Sequence, residues 1–267
     1  MTVARMCAVA LAALVCSAVV VALVLASDRQ DAAVVWAIFG PLVVWSFVGT
    51  GLYAWRRRPE SRTGALMVLL GFAWCGAALS FANSPLVFTF ALVAGGLWGG
   101  VFLQLVMSFP SGRLAPGRDR AIVLAGYAIF TVAAIPALLF SGPQELRCDD
   151  CPANLLLVRR DPDLASVALG LQALLYGVLL VIVLVRLILR WRRASPLARV
   201  QLTPVYVCGL VTFLLVTAGV AGAGDATVRA AFSATALLPF AFLGGLLRSH
   251  VAHLDAELRA RLEELRA

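Results

Sequence analysis

Apolar residues run along this chain in long unbroken stretches, each closed by a short cluster of Arg, Asp, Pro, Gly or Asn. Eight such stretches fall at roughly 6–26, 34–55, 64–82, 86–108, 121–140, 165–189, 203–222 and 229–247. Each comes near the ~20 residues that a helix needs to cross the hydrocarbon core of a bilayer. The third and fourth are joined only by Asn83-Ser84-Pro85, which predicts an antiparallel helical hairpin. The first follows Arg5 and exceeds the ~7–15 apolar residues of a secretory signal, so it is read as a retained anchor. Beyond Leu247 the pattern changes. Apolar residues at Leu247, Val251, Leu254 and Leu258 recur by four, three and four, and Leu262 and Leu265 follow after a shift resembling a stutter. The expected fold is therefore all-α: a polytopic membrane bundle of about eight transmembrane helices over 1–247, whose last helix continues into a cytoplasmic coiled coil over 248–267.

Composition agrees and narrows the class. Of 267 residues 62% are apolar and 13% charged, against about 45–50% and about 25% in soluble domains. An ordinary soluble enzyme, a disordered chain, a collagen-like repeat and a small disulfide scaffold are all excluded. The net charge is +8, and every one of the 22 basic residues is Arg. These arginines stand at the ends of apolar stretches, where they orient a membrane protein rather than bind nucleic acid. Counted on alternate sides they divide 17 against 5, and eight of the 14 acidic residues lie on the Arg-poor side. The positive-inside rule then places both termini in the cytoplasm of a multi-pass plasma-membrane protein.

The predicted spans contain no Asp, Glu or His, and Arg186 lies about one turn from a cytoplasmic end, where it can snorkel. Proton relays and coupled transporters carry ionisable groups at depth, so a pump or secondary transporter is disfavoured. Gln104 and Gln172 are read as interhelical hydrogen-bonding residues. Gly95, Gly96, Gly99 and Gly100 form two overlapping small-xxx-small pairs and predict a close helix contact, inside the bundle rather than between subunits. Cys7, Cys16, Cys75 and Cys208 lie within spans and read as small packing residues.

Outside the spans, the loop 141–164 on the extracytoplasmic side holds Cys148-Asp149-Asp150-Cys151-Pro152 and Asn154. A Cys148–Cys151 disulfide there is either a local staple or part of a sensing element. One CxxC without a nearby His does not make a closed zinc site, and no metal is assigned. Cys148, Asp149, Asp150 and Cys151 are the candidate sensing residues. On the cytoplasmic side Phe109-Pro110-Ser111-Gly112-Arg113-Leu114 turns sharply but lacks the Gly-Lys-Ser/Thr end of a P-loop. That loop and Arg190-Trp191-Arg192-Arg193-Ala194-Ser195-Pro196 are read as solvated, lipid-facing anchors. His250 and His253 have no acidic residue directly after them to act as base, and are read as solvated or interfacial.

Several of these segments together resemble the membrane sensor region of actinobacterial-type sensor histidine kinases. They are Phe109–Leu114 followed by Asp119-Arg120, Ser195-Pro196-Leu197-Ala198-Arg199 with Gln201, and Leu237–Leu243 followed by Leu246-Leu247-Arg248-Ser249. The segment Asp255-Ala256-Glu257-Leu258-Arg259-Ala260-Arg261-Leu262-Glu263-Glu264-Leu265-Arg266-Ala267 is similar to the linker that leads into their dimerisation helices. The resemblance runs from about residue 50. It implies a homodimer among membrane lipids that relays a stimulus down the eighth helix, and a response regulator acting downstream if a kinase follows. The family's phosphoacceptor and ATP-binding motifs do not occur before Ala267. No catalytic residue is carried over, no cofactor is assigned, and ATP with Mg would enter only with an attached kinase. Arg248, Val251, Leu254, Leu258 and Leu265 are the expected transmission residues. The alternative is a kinase-less, permease-like subunit or scaffold.

Overall fold

The computed structural model describes residues 2–27, 33–143, 145–146, 150–220 and 224–264, with the side chains of 33, 34, 217, 219, 220, 225 and 248–264 excepted. The described residues are helical, with turns and loops between, and hold no strand. Ten α-helices follow in order: α1 (Val3–Leu25), α2 (Ala33–Arg57), α3 (Thr63–Ala78), α4 (Pro85–Ala94), α5 (Leu97–Ser108), α6 (Arg118–Thr131), α7 (Ile135–Leu138), α8 (Pro162–Arg193), α9 (Pro196–Val220) and α10 (Asp225–Glu264). Among the described residues, eight segments are long and apolar enough to cross a membrane: Val3–Leu25, Val35–Arg57, Thr63–Phe81, Pro85–Ser108, Arg118–Leu138, Pro162–Arg193, Pro196–Val216 and Ala226–Leu247.

Two of the stretches expected as single helices are interrupted, each for a local reason. The fourth breaks at Gly95-Gly96, between α4 and α5, where two residues without a Cβ loosen the helix and let another backbone come close. The fifth passes through a 3-10 turn, Val132–Ala134, into the short α7. Pro136 stands at the start of α7; it has no N–H to give to the preceding turn, and its ring would crowd the carbonyl four residues back.

The bundle is built around α2, α3 and α10. α2 and α3 pack closely at Gly51 and Gly64, where a Cβ on Gly64 would lie 2.6 Å from both the Gly51 carbonyl oxygen and the Trp55 nitrogen. α10 packs against α9 and α2. At the periphery, α8 buries Leu179, Val183 and Leu187, one every turn, while Val167, Leu171, Leu174, Val178, Val181 and Val185 stay exposed. That is the pattern of a helix with one face on the bundle and the rest toward lipid tails. A disulfide pairs Cys16 of α1 with Cys75 of α3, their Cα atoms 6.5 Å apart. Both residues pack in or against the core as read, but paired rather than as separate thiols, because the fold brings together positions 59 apart in sequence.

Candidate functional site

The three Arg-rich connections, α2–α3, α5–α6 and α8–α9, meet at one end of the bundle. Their centre is Phe109-Pro110, a cis peptide bond. The Pro110 carbonyl accepts hydrogen bonds from Ser61 Oγ at 3.0 Å and Thr63 Oγ1 at 2.8 Å, and the Arg62 amide donates to the Ser111 carbonyl at 3.0 Å. Gly112 has φ +70°, and a Cβ there would lie 2.3 Å from the Thr63 nitrogen, so position 112 requires glycine on two counts. From α8, the Arg190 guanidinium donates to the Met107 carbonyl at 2.8 Å and to the Phe109 carbonyl. It thus satisfies acceptors that the end of α5 leaves open. The Phe109 ring is fully buried and stands edge-on to Phe242 of α10, with centroids 5.3 Å apart. Next to it, a Cβ on Gly245 of α10 would fall 2.9 Å from Phe109 Cζ and 2.9 Å from the Gln201 carbonyl oxygen. Phe109 therefore ties the end of α5, and through its carbonyl α8, to the helix that carries the tail.

These contacts correct two expectations. Arg190 is not a solvated anchor but a half-buried cross-link. Arg186 does not only snorkel: its Nε and Nη2 both donate to Asp119 Oδ1 at the start of α6. Arg199 is bonded in the same way. It donates to the carbonyls of Trp191, Arg192 and Ala194 and lies over the Trp191 ring, closing the α8–α9 turn.

Deeper in the bundle α10 is held a second time. Phe232 meets Trp36 edge-on at 4.8 Å between centroids, Trp74 at 5.6 Å and Phe39 at 6.0 Å. Trp36 stacks on Trp74 at 5.5 Å, and Trp74 meets Trp98 at 5.2 Å. Among the glycines, Gly96, Gly99 and Gly100 lie against Phe130 and Tyr127 of α6, while Gly95 faces Ala77 of α3. Gln104 accepts from Tyr127 Oη at 2.8 Å across α5 and α6, as an interhelical bond requires. Gln172 instead donates to Tyr176, one turn along its own helix.

At the opposite end the loop after α7 is tied down by Asn154. Its Nδ2 donates to the carbonyls of Leu138 at 2.7 Å and Ser141 at 3.3 Å, and its Oδ1 accepts from the Leu156 amide at 3.0 Å. The Leu155 amide donates to Thr89 Oγ1 of α4 at 2.9 Å. Arg159 holds the Asp161 carboxyl below the usual range, helped by the Leu164 amide that Asp161 caps. Glu145 is also lowered, first by its own backbone N–H and then by Arg160. Of the candidate sensing residues, Cys151 is disulfide-bonded and half-buried and Asp150 is exposed; Cys148 and Asp149 lie outside the described residues. Of the transmission residues, Arg248, Val251, Leu254 and Leu258 belong to α10, their side chains lying outside the described residues together with Leu265. Among the described residues, no group of three or more His, Cys, Asp or Glu is arranged to hold a metal. Replacing Asn154 with Ala strands two carbonyls and an amide. We expect a local loss of about 1–2 kcal/mol, read as faster proteolysis between Asp150 and Asp161; an unchanged cleavage rate would show that the loop is held elsewhere.

No protein-family model, curated protein or solved structure matches the chain.

Proposed function

We propose that this chain is the membrane sensor and signal-transducing region of a two-component sensor histidine kinase. In this reading both ends face the cytoplasm of the plasma membrane, two copies pair along their tails, and a stimulus at or outside the membrane is relayed through α10. The observation that carries it is the continuity of α10 over 40 residues, Asp225–Glu264. Such a helix is about 60 Å long, roughly twice the hydrocarbon thickness. Its apolar part is gripped at Phe232 and again at Phe242 and Gly245, so the bundle has two fixed points from which to turn or tilt the tail. A small rotation or register shift would bias two arrangements of a tail coiled coil, with Val251, Leu254, Leu258 and Leu265 on its seam and Arg248 at its membrane edge. A kinase attached to that tail would supply ATP and Mg chemistry and pass phosphate to a response regulator. Cys148, Asp149, Asp150 and Cys151 are proposed to take part in sensing on the extracytoplasmic side.

The test uses the chain in its native membranes. An antibody raised against residues 255–267 is expected to detect a band well above the mass of 267 residues; a band at that mass overturns a covalently attached kinase. In the same membranes Leu258→Asp places a charge on the seam. It is expected to abolish tail cross-linking through a cysteine introduced at position 254 and to uncouple output, while leaving insertion intact. Unchanged cross-linking and output in that variant would sink the relay mechanism.

A further inference from the structure

At the Arg-rich end, the α5–α6 connection, the last two turns of α8 and the first turns of α9 enclose a cavity of about 510 Å³. Its charged lining is one-sided: Arg113, Arg186, Arg190 and Arg193 against Asp119. Asp119 is already bonded to Arg186, and Arg190 is committed to the Met107 and Phe109 carbonyls. Among the described residues, no acceptor bonds the guanidinium of Arg113 or Arg193; both side chains are exposed at the cavity and free of an ion pair with any described carboxylate. The remaining wall is largely apolar, including Leu187 and Leu202, and it lies at the end of a membrane-crossing segment.

We propose that this cavity binds a phosphate group through Arg113 and Arg193, in a lining that Arg186 and Arg190 also make basic, and that its source is the headgroup of an anionic phospholipid. The chemistry follows from the donors. Guanidinium groups pair with phosphate oxygens through two parallel hydrogen bonds, which a point charge cannot do. Basic pockets between membrane helices at a bilayer edge match anionic headgroups. The volume suits a small polar headgroup, and the apolar wall running up α8 suits the start of an acyl chain better than it suits a free ion. Binding here does not depend on the signalling role proposed above.

The full chain is placed in phosphatidylcholine nanodiscs, with or without phosphatidylglycerol, and separately in phosphatidylcholine nanodiscs with inorganic phosphate added. Bound lipid is counted by native mass spectrometry and protection by thermal unfolding. Arg113→Gln/Arg193→Gln is compared with Arg56→Gln/Arg58→Gln, which removes the same charge at the same end but outside the cavity. Phosphatidylglycerol is expected to bind and protect, and the cavity variant to weaken it about tenfold or more while the control stays near wild type. Protection by inorganic phosphate that the cavity variant loses would keep the site and change the source to a free phosphate. Equal losses in the two variants would mean diffuse attraction to an anionic surface, and no protection in the wild type would mean an idle cavity; either overturns the proposal.

Discussion

Gly96→Ala is expected to cost more than about 3 kcal/mol, or to leave little folded protein. A Cβ at position 96 would lie 1.7 Å from the Phe130 carbonyl oxygen, and that atom belongs to a backbone that cannot rotate aside. Ordinary overpacking costs about 1–3 kcal/mol because side chains yield; here α5 and α6 themselves must part. The neighbouring sites should rank below it. At Gly99 a Cβ would meet the Phe130 ring at 2.7 Å and at Gly100 the Tyr127 ring at 2.3 Å, and a ring is able to shift. Gly76, inside α3, has nothing within 4 Å of the added atom. Gly76→Ala should therefore be neutral or gain about 0.5–1 kcal/mol from helix propensity. Thermal unfolding in detergent of the four single variants checks the order. If Gly96→Ala proves as stable as Gly76→Ala, the fourth membrane segment does not pack on the fifth as described.

That ranking also shows which parts of the fold were legible in the sequence. The four glycines stand out because their spacing places them on one helix face. Gly51, Gly64 and Gly71, which carry the close α2–α3 contact, lack the four-residue spacing of that motif, and only the pairing of the two helices gives them meaning. The spans were readable because crossing a bilayer imposes length and apolarity directly on sequence. Their interruptions at Gly95-Gly96 and Pro136 were not, since glycine and proline are often tolerated inside membrane helices; Pro41, Pro204 and Pro239 stay within helices here.

The site was harder to read than the bundle. Phe109–Leu114 reads as a sharp turn, but nothing in those residues says that Arg190, 81 positions on, would bond the Phe109 carbonyl. Backbone acceptors carry no side-chain signature, and arginines at span ends have a sufficient explanation in topology. Arg186 has the same sufficient explanation at a span end, and its partner Asp119 is 67 positions away. Asn154 is a similar case: two of its three bonds reach residues 13 and 16 positions earlier, so its part in the loop appears only when α7 and the loop are folded together.

The second large effect is expected at the grip on α10. Phe109→Ala removes a ring with no exposed surface, and such truncations typically cost about 3–5 kcal/mol. Phe109→Leu, which keeps most of the volume, should cost about 1–1.5 kcal/mol. Gly245→Ala should be destabilising in the native background, because its Cβ would stand 2.9 Å from Phe109 Cζ. The two positions are then coupled. In the Phe109→Ala background the ring is gone and the new methyl group gains room, leaving only the Gln201 carbonyl as an obstacle. The double variant should accordingly be more stable than the sum of the single losses by about 1 kcal/mol or more. A thermal double-mutant cycle measures that difference, and additivity within about 0.5 kcal/mol would mean the ring does not bear on α10 at that point. Coupling at this position matters beyond stability. The carbonyl of the same residue is held by Arg190 and its ring bears on Phe242, so Phe109 is one link between α8 and α10, beside the one that runs through α9.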